Sequence, residues 1–480
     1  MSGYDNQGFA GDGTYGNHNE YPGSETNKNQ LARHSKDNGF FTVELNDRKK
    51  SLEAGEYDPY RWRDVEHPTT DTETFLHLLK GSLGTGILAM PMAFYHSGYL
   101  LGAVGTAIIG FLCTHCIHLL IRAEYELCKR RKVAVMSYPE TALAGFQEGP
   151  PFQRRIAFIA PHMVNIFLLI YQLGSGAVYT IFIGDNISGV FAAHGITVNV
   201  KLVMLAALLP LILINCVKNL KYLAPLSTFA NIITMVSFGI IAYYMFSRDF
   251  TFDGKEPFGE VKNYPLFFGT VLFALEAIGV IMPLENEMKT PQNFGSPFGV
   301  LNKGMVVITI LYTSMGFFGY IAYGSSVQGS ISLSIGDDIP GQICRILLSM
   351  SIYVTHGLQL YPAIKTVWDI YLLPLLTGSN HLVLLEYVTR VFLVTFCFVL
   401  AVAVPYIDLF ISLFGALTLS GLGLFIPAMV DMGTYWHQRT GKTRIFTMIK
   451  NCLIILLGFF GLIVGTSTSL NEIINKFSNE

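Results

Sequence analysis

The sequence predicts an all-α membrane protein: eleven transmembrane helices, in a 5+5 inverted repeat with broken helices 1 and 6, plus an extra C-terminal helix. Three observations predict it. The chain is 51% hydrophobic and only 14% charged, with a mean hydropathy of +0.43, whereas soluble domains carry about 25% charge. Its apolar residues gather in runs of about 20, the length that crosses a bilayer. Two of those runs, opening corresponding halves of the chain, interrupt themselves with glycine and charge.

Residues 1–70 differ from the rest. They are poor in aliphatics and rich in Gly, Asn, Ser and Tyr, too little apolar surface to bury a core, and contain no signal-peptide core. They are expected to form a disordered cytoplasmic tail. A helical domain should occupy 71–466, with repeat one at about 74–246, repeat two at about 264–430 and the extra helix at 444–466. The spans fall near 74–97, 99–121, 156–184, 201–217, 222–246, 264–284, 300–323, 340–367, 384–403, 405–430 and 444–466, leaving 467–480 as a short extracytoplasmic tail.

Loop charge orients them. Arg122, Lys129, Arg130, Arg131, Lys132, Arg154 and Arg155 lie between spans two and three, and Lys218 and Lys221 between four and five. Residues 185–200 hold no Lys or Arg and 324–339 only Asp337 and Asp338. The N-terminus is therefore expected in the cytoplasm and the C-terminus outside or in a lumen. The sequon Asn186-Ile187-Ser188 falls on the outer side as a candidate glycosylation site.

The first span contains His77 and Lys80, then Gly81, Ser82, Gly84, Thr85 and Gly86. Each glycine costs about 1 kcal/mol relative to alanine inside a helix, and an intramembrane lysine at least about 2.5 kcal/mol. A plain anchor gains nothing from either; a helix that opens bare backbone to a solute needs both. The sixth span mirrors it. Glu276 lies about 18 Å of helical rise from the span's start, near mid-membrane, followed by Ala277, Ile278 and Gly279. Amides freed at Gly84-Thr85-Gly86, with the dipole of a half-helix starting near Ile87, suit a carboxylate. Glu276 and freed carbonyls of the sixth span suit an ammonium. Together they fit a zwitterion, with Ser82, Phe273, Ala277 and Gly279 lining the gap. Tyr171, Gln172 and His356 could also face it; interhelical hydrogen bonding is the plainer account of each.

His77, with an ordinary pKa near 6.5, can load and release a proton, or simply be hydrogen-bonded. Glu276, the carboxylate nearest mid-depth, competes for that role. His115 is either a packed polar residue or a third coupling group. Cys113, His115, Cys116 and His118 share one apolar helix without a second Cys/His pair, so no metal or other cofactor is expected. No phosphate loop or nucleophile elbow suggests an enzyme, and no basic tract suggests nucleic acid.

Leu76–Gly86 (LHLLKGSLGTG), Thr114–Cys116 (THC), Phe273–Asn286 (FALEAIGVIMPLEN) and the following Met288-Lys289 resemble the proton-coupled amino acid transporters. These are a branch of the amino acid/auxin permeases with a leucine-transporter-type fold. The similarity runs from about 70 to 466. It implies cotransport of small neutral amino acids with protons across the lipid bilayer of the plasma or endolysosomal membrane. It also implies that His77 and His115 match family histidines. One departure is that mammalian members of the family carry an outward-facing disulfide, whereas here Cys344 alone lies near the outer side. A sodium-coupled or exchange-type carrier, and an amino-acid receptor that binds without turnover, are the alternatives.

Overall fold

The computed structural model describes residues 57–479 apart from Asn219, Glu276, Ala277 and Thr377. Among them the chain is helical throughout, with one isolated parallel bridge between Thr69 and Met288. The helices are α1 (Asp71–Ser82), α2 (Thr85–Ser97), α3 (Tyr99–Arg131), α4 (Tyr138–Glu148), α5 (Ala160–Ala193), α6 (Val200–Asn215), α7 (Leu220–Phe246) and α8 (Tyr264–Leu275). They continue with α9 (Ile278–Asn286), α10 (Val300–Tyr323), α11 (Ile339–Lys365), α12 (Leu382–Ala403), α13 (Ile407–Phe414), α14 (Ile426–Thr434), α15 (Gly441–Phe460) and α16 (Thr466–Asn479).

Among the described residues, eight helical runs are long and apolar enough to cross a membrane, and α6 and α8 belong to shorter apolar helices. Large apolar side chains such as Phe111, Leu209, Phe229 and Phe392 are more than half exposed. Such a surface suits hydrocarbon and not water. This is a multi-pass membrane protein.

The first span breaks between α1 and α2, and the two halves meet different partners. α1 packs on α9 and α10; α2 packs on α8, α10 and α3. The first half of span one thus lies beside the second half of span six, and vice versa, so the two spans run antiparallel. Close contact is allowed by Gly86, where a methyl would stand 2.6 Å from the Ala274 Cα. Beyond this pair, α5 packs on α11, α7 on α11, and α12 on α5 and α6. α13 and α14 are joined by the π-helical segment Gly415–Phe425 into one buried run.

One expectation about the ends is corrected. Part of the first seventy residues is ordered: Asp58 to Thr69 lies as a strap across the face of the bundle where the N-terminus emerges, here termed the N-terminal face. Thr69 exchanges backbone hydrogen bonds with Glu287 (2.8 Å) and Lys289 (2.8 Å), and Thr70 forms a capping box with Glu73 at the start of α1. Residues 1–56 lie outside the described residues. At the other end α15 runs through a π-helical turn into α16, so residues 466–479 are helix. α16 docks on α13 through buried Ile473 and an aromatic contact between Phe477 and Tyr406.

Candidate functional site

The break in span one is compact. Leu83 (φ −79°, ψ 74°) and Gly84 (φ −115°, ψ −155°) leave the helical region. Thr85 and Gly86, expected within the unwound stretch, are instead the first residues of α2, which begins at Thr85 and not near Ile87. No side chain caps α2, so its first-turn amides have no intrahelical acceptor and face the break. The partial positive charge of a helix N-terminus gathers there. Thr85 is buried, and its Oγ1 has no hydrogen-bond partner among the described residues. Gly84 has room beside it among the described residues, since a methyl there would lie 3.6 Å from the Tyr179 hydroxyl and meet none of their atoms nearer. On the other side of the break, the Ser82 carbonyl accepts from the Gly84 amide (2.9 Å) and from the Tyr312 hydroxyl. Ser82 Oγ donates back to the Leu78 carbonyl at 3.0 Å, which closes the last turn of α1.

Helices α5, α8, α10 and α11 supply the walls. Tyr179 of α5 reaches Gly84, and its ring centroid is 6.4 Å from that of His356 on α11. Tyr171, two turns earlier on α5, meets Phe273 of α8 with ring centroids 5.7 Å apart; Gln172 beside it is half-buried.

His356 is fully buried. Its Nδ1 lies 2.9 Å from Asn215 Nδ2, and that nitrogen also donates to the Leu211 carbonyl at 2.7 Å. The amide nitrogen is thereby fixed toward the ring, so Nδ1 accepts and the neutral ring carries its proton on Nε2. Nε2 has no hydrogen-bond partner among the described residues. It lies 3.5 Å from where a methyl would stand on Gly176. The Asn215 carbonyl in turn accepts from Arg390 at 2.9 Å, and Arg390 pairs with Glu386, which also holds Lys218.

The other sequence candidates are dispersed. His77 is half-buried on α1, and Lys80, one turn on, is exposed. His115 Nε2 lies 3.0 Å from Lys450 Nζ of α15, and its charged neighbours, Lys450, Asp431 and Arg122, do not include a residue of the break. His118 bonds Asn302 at 2.8 Å. Glu276 and Ala277 lie outside the described residues; Gly279, just beyond them, is exposed.

Asn186 is corrected. It is fully buried inside α5, its amide donating to the Phe182 carbonyl at 2.8 Å, because α5 continues to Ala193, beyond the expected end at 184. A glycan has no access to it. Cys344 is likewise buried within α11, its thiol donating to the Ser237 carbonyl.

Tyr179, Tyr312 and Asn215 do not stand out in the sequence. The signal for each was a polar group inside an apolar helix, which must find a partner. For Tyr179 the preceding Gly174-Ser175-Gly176-Ala177 run also marks a close helix approach.

On the face opposite the strap, a cavity of about 600 Å³ opens between the end of α5, the loop before α11 and the start of α13; its lining includes Asp185, Arg345 and Asp408. A broken helix with an uncapped half, packed antiparallel to a second split span, is the arrangement of an inverted-repeat transporter. Residues 67–470 match the family described as transmembrane amino acid transporter protein. The chain belongs to that family. It is a transporter and not an enzyme.

Among its relatives is the proton-coupled amino acid transporter-like protein pathetic of Drosophila melanogaster, 38% identical over 440 residues, covering 90% of this chain and 91% of that protein. The probable amino acid transporter skat-1 of Caenorhabditis elegans is 24% identical over 434 residues, covering 88% and 93%. Among solved structures, the inward-facing conformation of Mhp1 aligns with a TM-score of 0.50 at 11% identity, covering 86% of this chain and 93% of that one. The likeness to Mhp1 supports the leucine-transporter-type fold.

Proposed function

We propose that the chain is a proton-coupled symporter of small neutral amino acids that works by alternating access. The carrying observation is the break at Leu83–Gly84. Among the described residues, uncapped amides of α2, an unpartnered Thr85 hydroxyl and open room at Gly84 offer donors to a carboxylate. The name of the Drosophila relative supports proton coupling. In this reading Thr85 and the amides of Gly86 and Ile87 hold the carboxylate, Tyr179 closes the gap, and His356 Nε2 donates from the far wall. Glu276, Ala277 and Gly279 of the sixth span receive the ammonium. His77 of α1 and Glu276 of the sixth span are the candidate proton carriers, and His115, facing Lys450, acts through α15. The strap face is cytoplasmic, in the plasma or an endolysosomal membrane.

One proton is sufficient. A pH unit is worth about 1.4 kcal/mol and 100 mV about 2.3 kcal/mol per charge, together about several-hundred-fold accumulation of a neutral zwitterion. The cycle is therefore electrogenic. Glycine, alanine or proline applied at pH 5.5 should evoke inward current that shrinks at pH 7.5 and survives sodium replacement. Silence at both pH values with protein present at the surface refutes the transport reading. Dependence on sodium assigns a sodium-coupled carrier instead, and binding without flux in proteoliposomes assigns a receptor.

A further inference from the structure

At the N-terminal face the strap covers a group of charges that the substrate site does not use. Arg63 turns inward, and its guanidinium pairs with Glu285 at the end of α9 at 2.9 Å; the two side chains are 5% and 1% exposed. The same guanidinium donates to the carbonyls of Glu285 (3.2 Å) and Ala134 (3.4 Å). Tyr60 lies against it, ring centroid 4.8 Å from Arg63 Cζ, and meets the tilted ring of Tyr125 of α3 at 4.7 Å. One strap residue thus ties α9 to the α3–α4 connection.

A second carboxylate shares this space. Glu124 of α3 is 1% exposed and within electrostatic reach of both Glu285 and Arg63. Its hydrogen-bond donor is the Met136 amide, at a long 3.5 Å. The other titratable groups around the pair are the phenols of Tyr60 and Tyr125, the buried Cys128 thiol and, beside that thiol, Glu140. Among the described residues none of these supplies a second positive charge. Two buried carboxylates therefore face one guanidinium. An uncompensated carboxylate out of water costs several kcal/mol, and two coupled acids relieve that cost by keeping one proton between them.

We propose that Glu124 and Glu285 form a one-proton binding site at the N-terminal face, occupied while Arg63 and its strap lie over it and emptied when they lift. Glu124, with the poorer hydrogen bonding, holds the proton. On opening, its O–H bond breaks, the proton passes to water on that face, both carboxylates become hydrated anions, and Arg63 stays charged. This rests on the symport reading for its role in the cycle: release of the coupling proton becomes tied to opening toward the cytoplasm.

The sign follows from linkage. The closed state binds one more proton than the open state, so acid favours closure and alkali favours opening, with the open-to-closed ratio changing about tenfold per pH unit.

Spin labels at Glu66→Cys on the strap and Val133→Cys beside the end of α3, with Cys216 and Cys452 replaced by Ser in the full chain, report the gap by pulsed EPR in proteoliposomes without any need for transport. The expected result is two distances whose ratio follows pH with a one-proton slope. In Glu124→Gln, where one carboxylate faces one guanidinium, the short distance should persist at every pH. In Glu285→Gln, where Glu124 alone remains to face the guanidinium, the distance ratio should likewise lose its one-proton pH dependence. A pH-independent distance in the otherwise unchanged chain, or a Glu124→Gln variant that titrates as before, overturns the proposal. Absence of amino-acid current alongside a pH-dependent distance would instead sink the symport reading and leave this site standing.

Discussion

α1 and α2 are consecutive, similar in length and interrupted by two residues, yet they live in different surroundings. Of the 13 residues of α2, ten are buried; of the 12 of α1, the buried ones are Thr74, Leu78 and Ser82. α2 is wedged among α3, α8 and α10, with Phe94 filling the space beside Gly102 and Gly316. α1 leans on α9 and α10 by one narrow face, and a groove of about 660 Å³ lined by Asp71, Phe75, Lys303 and Val307 lies against it. Local opening is cheapest where few apolar contacts must be given up. α2 is therefore the fixed wall of the site and α1 the element that can move, held at its start by the strap and by Asp71, which accepts from Thr290 and Asn293.

Two glycines a residue apart give the sharpest way to break this comparison. Gly86→Ala drives a methyl to 2.6 Å from the Ala274 backbone, where neither helix can retreat; overpacking of this kind costs about 1–3 kcal/mol. The variant should show a lowered unfolding temperature in detergent together with lost uptake. Gly84→Val fills open room and demands no forbidden φ. It should leave the unfolding temperature nearly unchanged while uptake falls about tenfold or more, equivalent to about 1.4 kcal/mol of lost interaction. Equal stability losses at both positions would mean that the break is packed and not a site.

A smaller effect is expected from Tyr312→Phe. It removes one donor to the Ser82 carbonyl but leaves the Gly84 amide in place, so the loss should be about 1 kcal/mol, seen as a modest drop in unfolding temperature. Least of all, Lys80→Gln on the exposed face of α1 should change stability by within about 0.5 kcal/mol and leave uptake intact. A large loss there would show that α1 is gripped on a face that the packing leaves open.

Much of the architecture was legible because apolar length and glycine placement are local properties. The first span does break within the glycine-rich stretch, at Leu83 and Gly84. The roles within that stretch were not legible. Gly84 provides room and Gly86 provides contact, a difference set by Ala274, 188 positions away. His115 reads in sequence like His77 yet faces Lys450 of a helix from the far end of the chain. Asn186 reads as a surface sequon because nothing local announces that α5 runs on to Ala193. The strap was hidden by composition, since its order comes from one arginine and one backbone bridge to segments more than 200 residues away.

By itself the sequence determined that this chain lives in a bilayer and that its first span breaks near Gly84. Hydrophobic length, glycine cost and loop charge act over one helix or one loop. The tertiary structure alone decided which small residue is wall and which is space, which nitrogen of His356 points inward, and that Arg63 of the strap pairs with Glu285 close to buried Glu124. Those depend on side chains from distant segments being taken out of water together, and pairing of that kind has no signature in linear order.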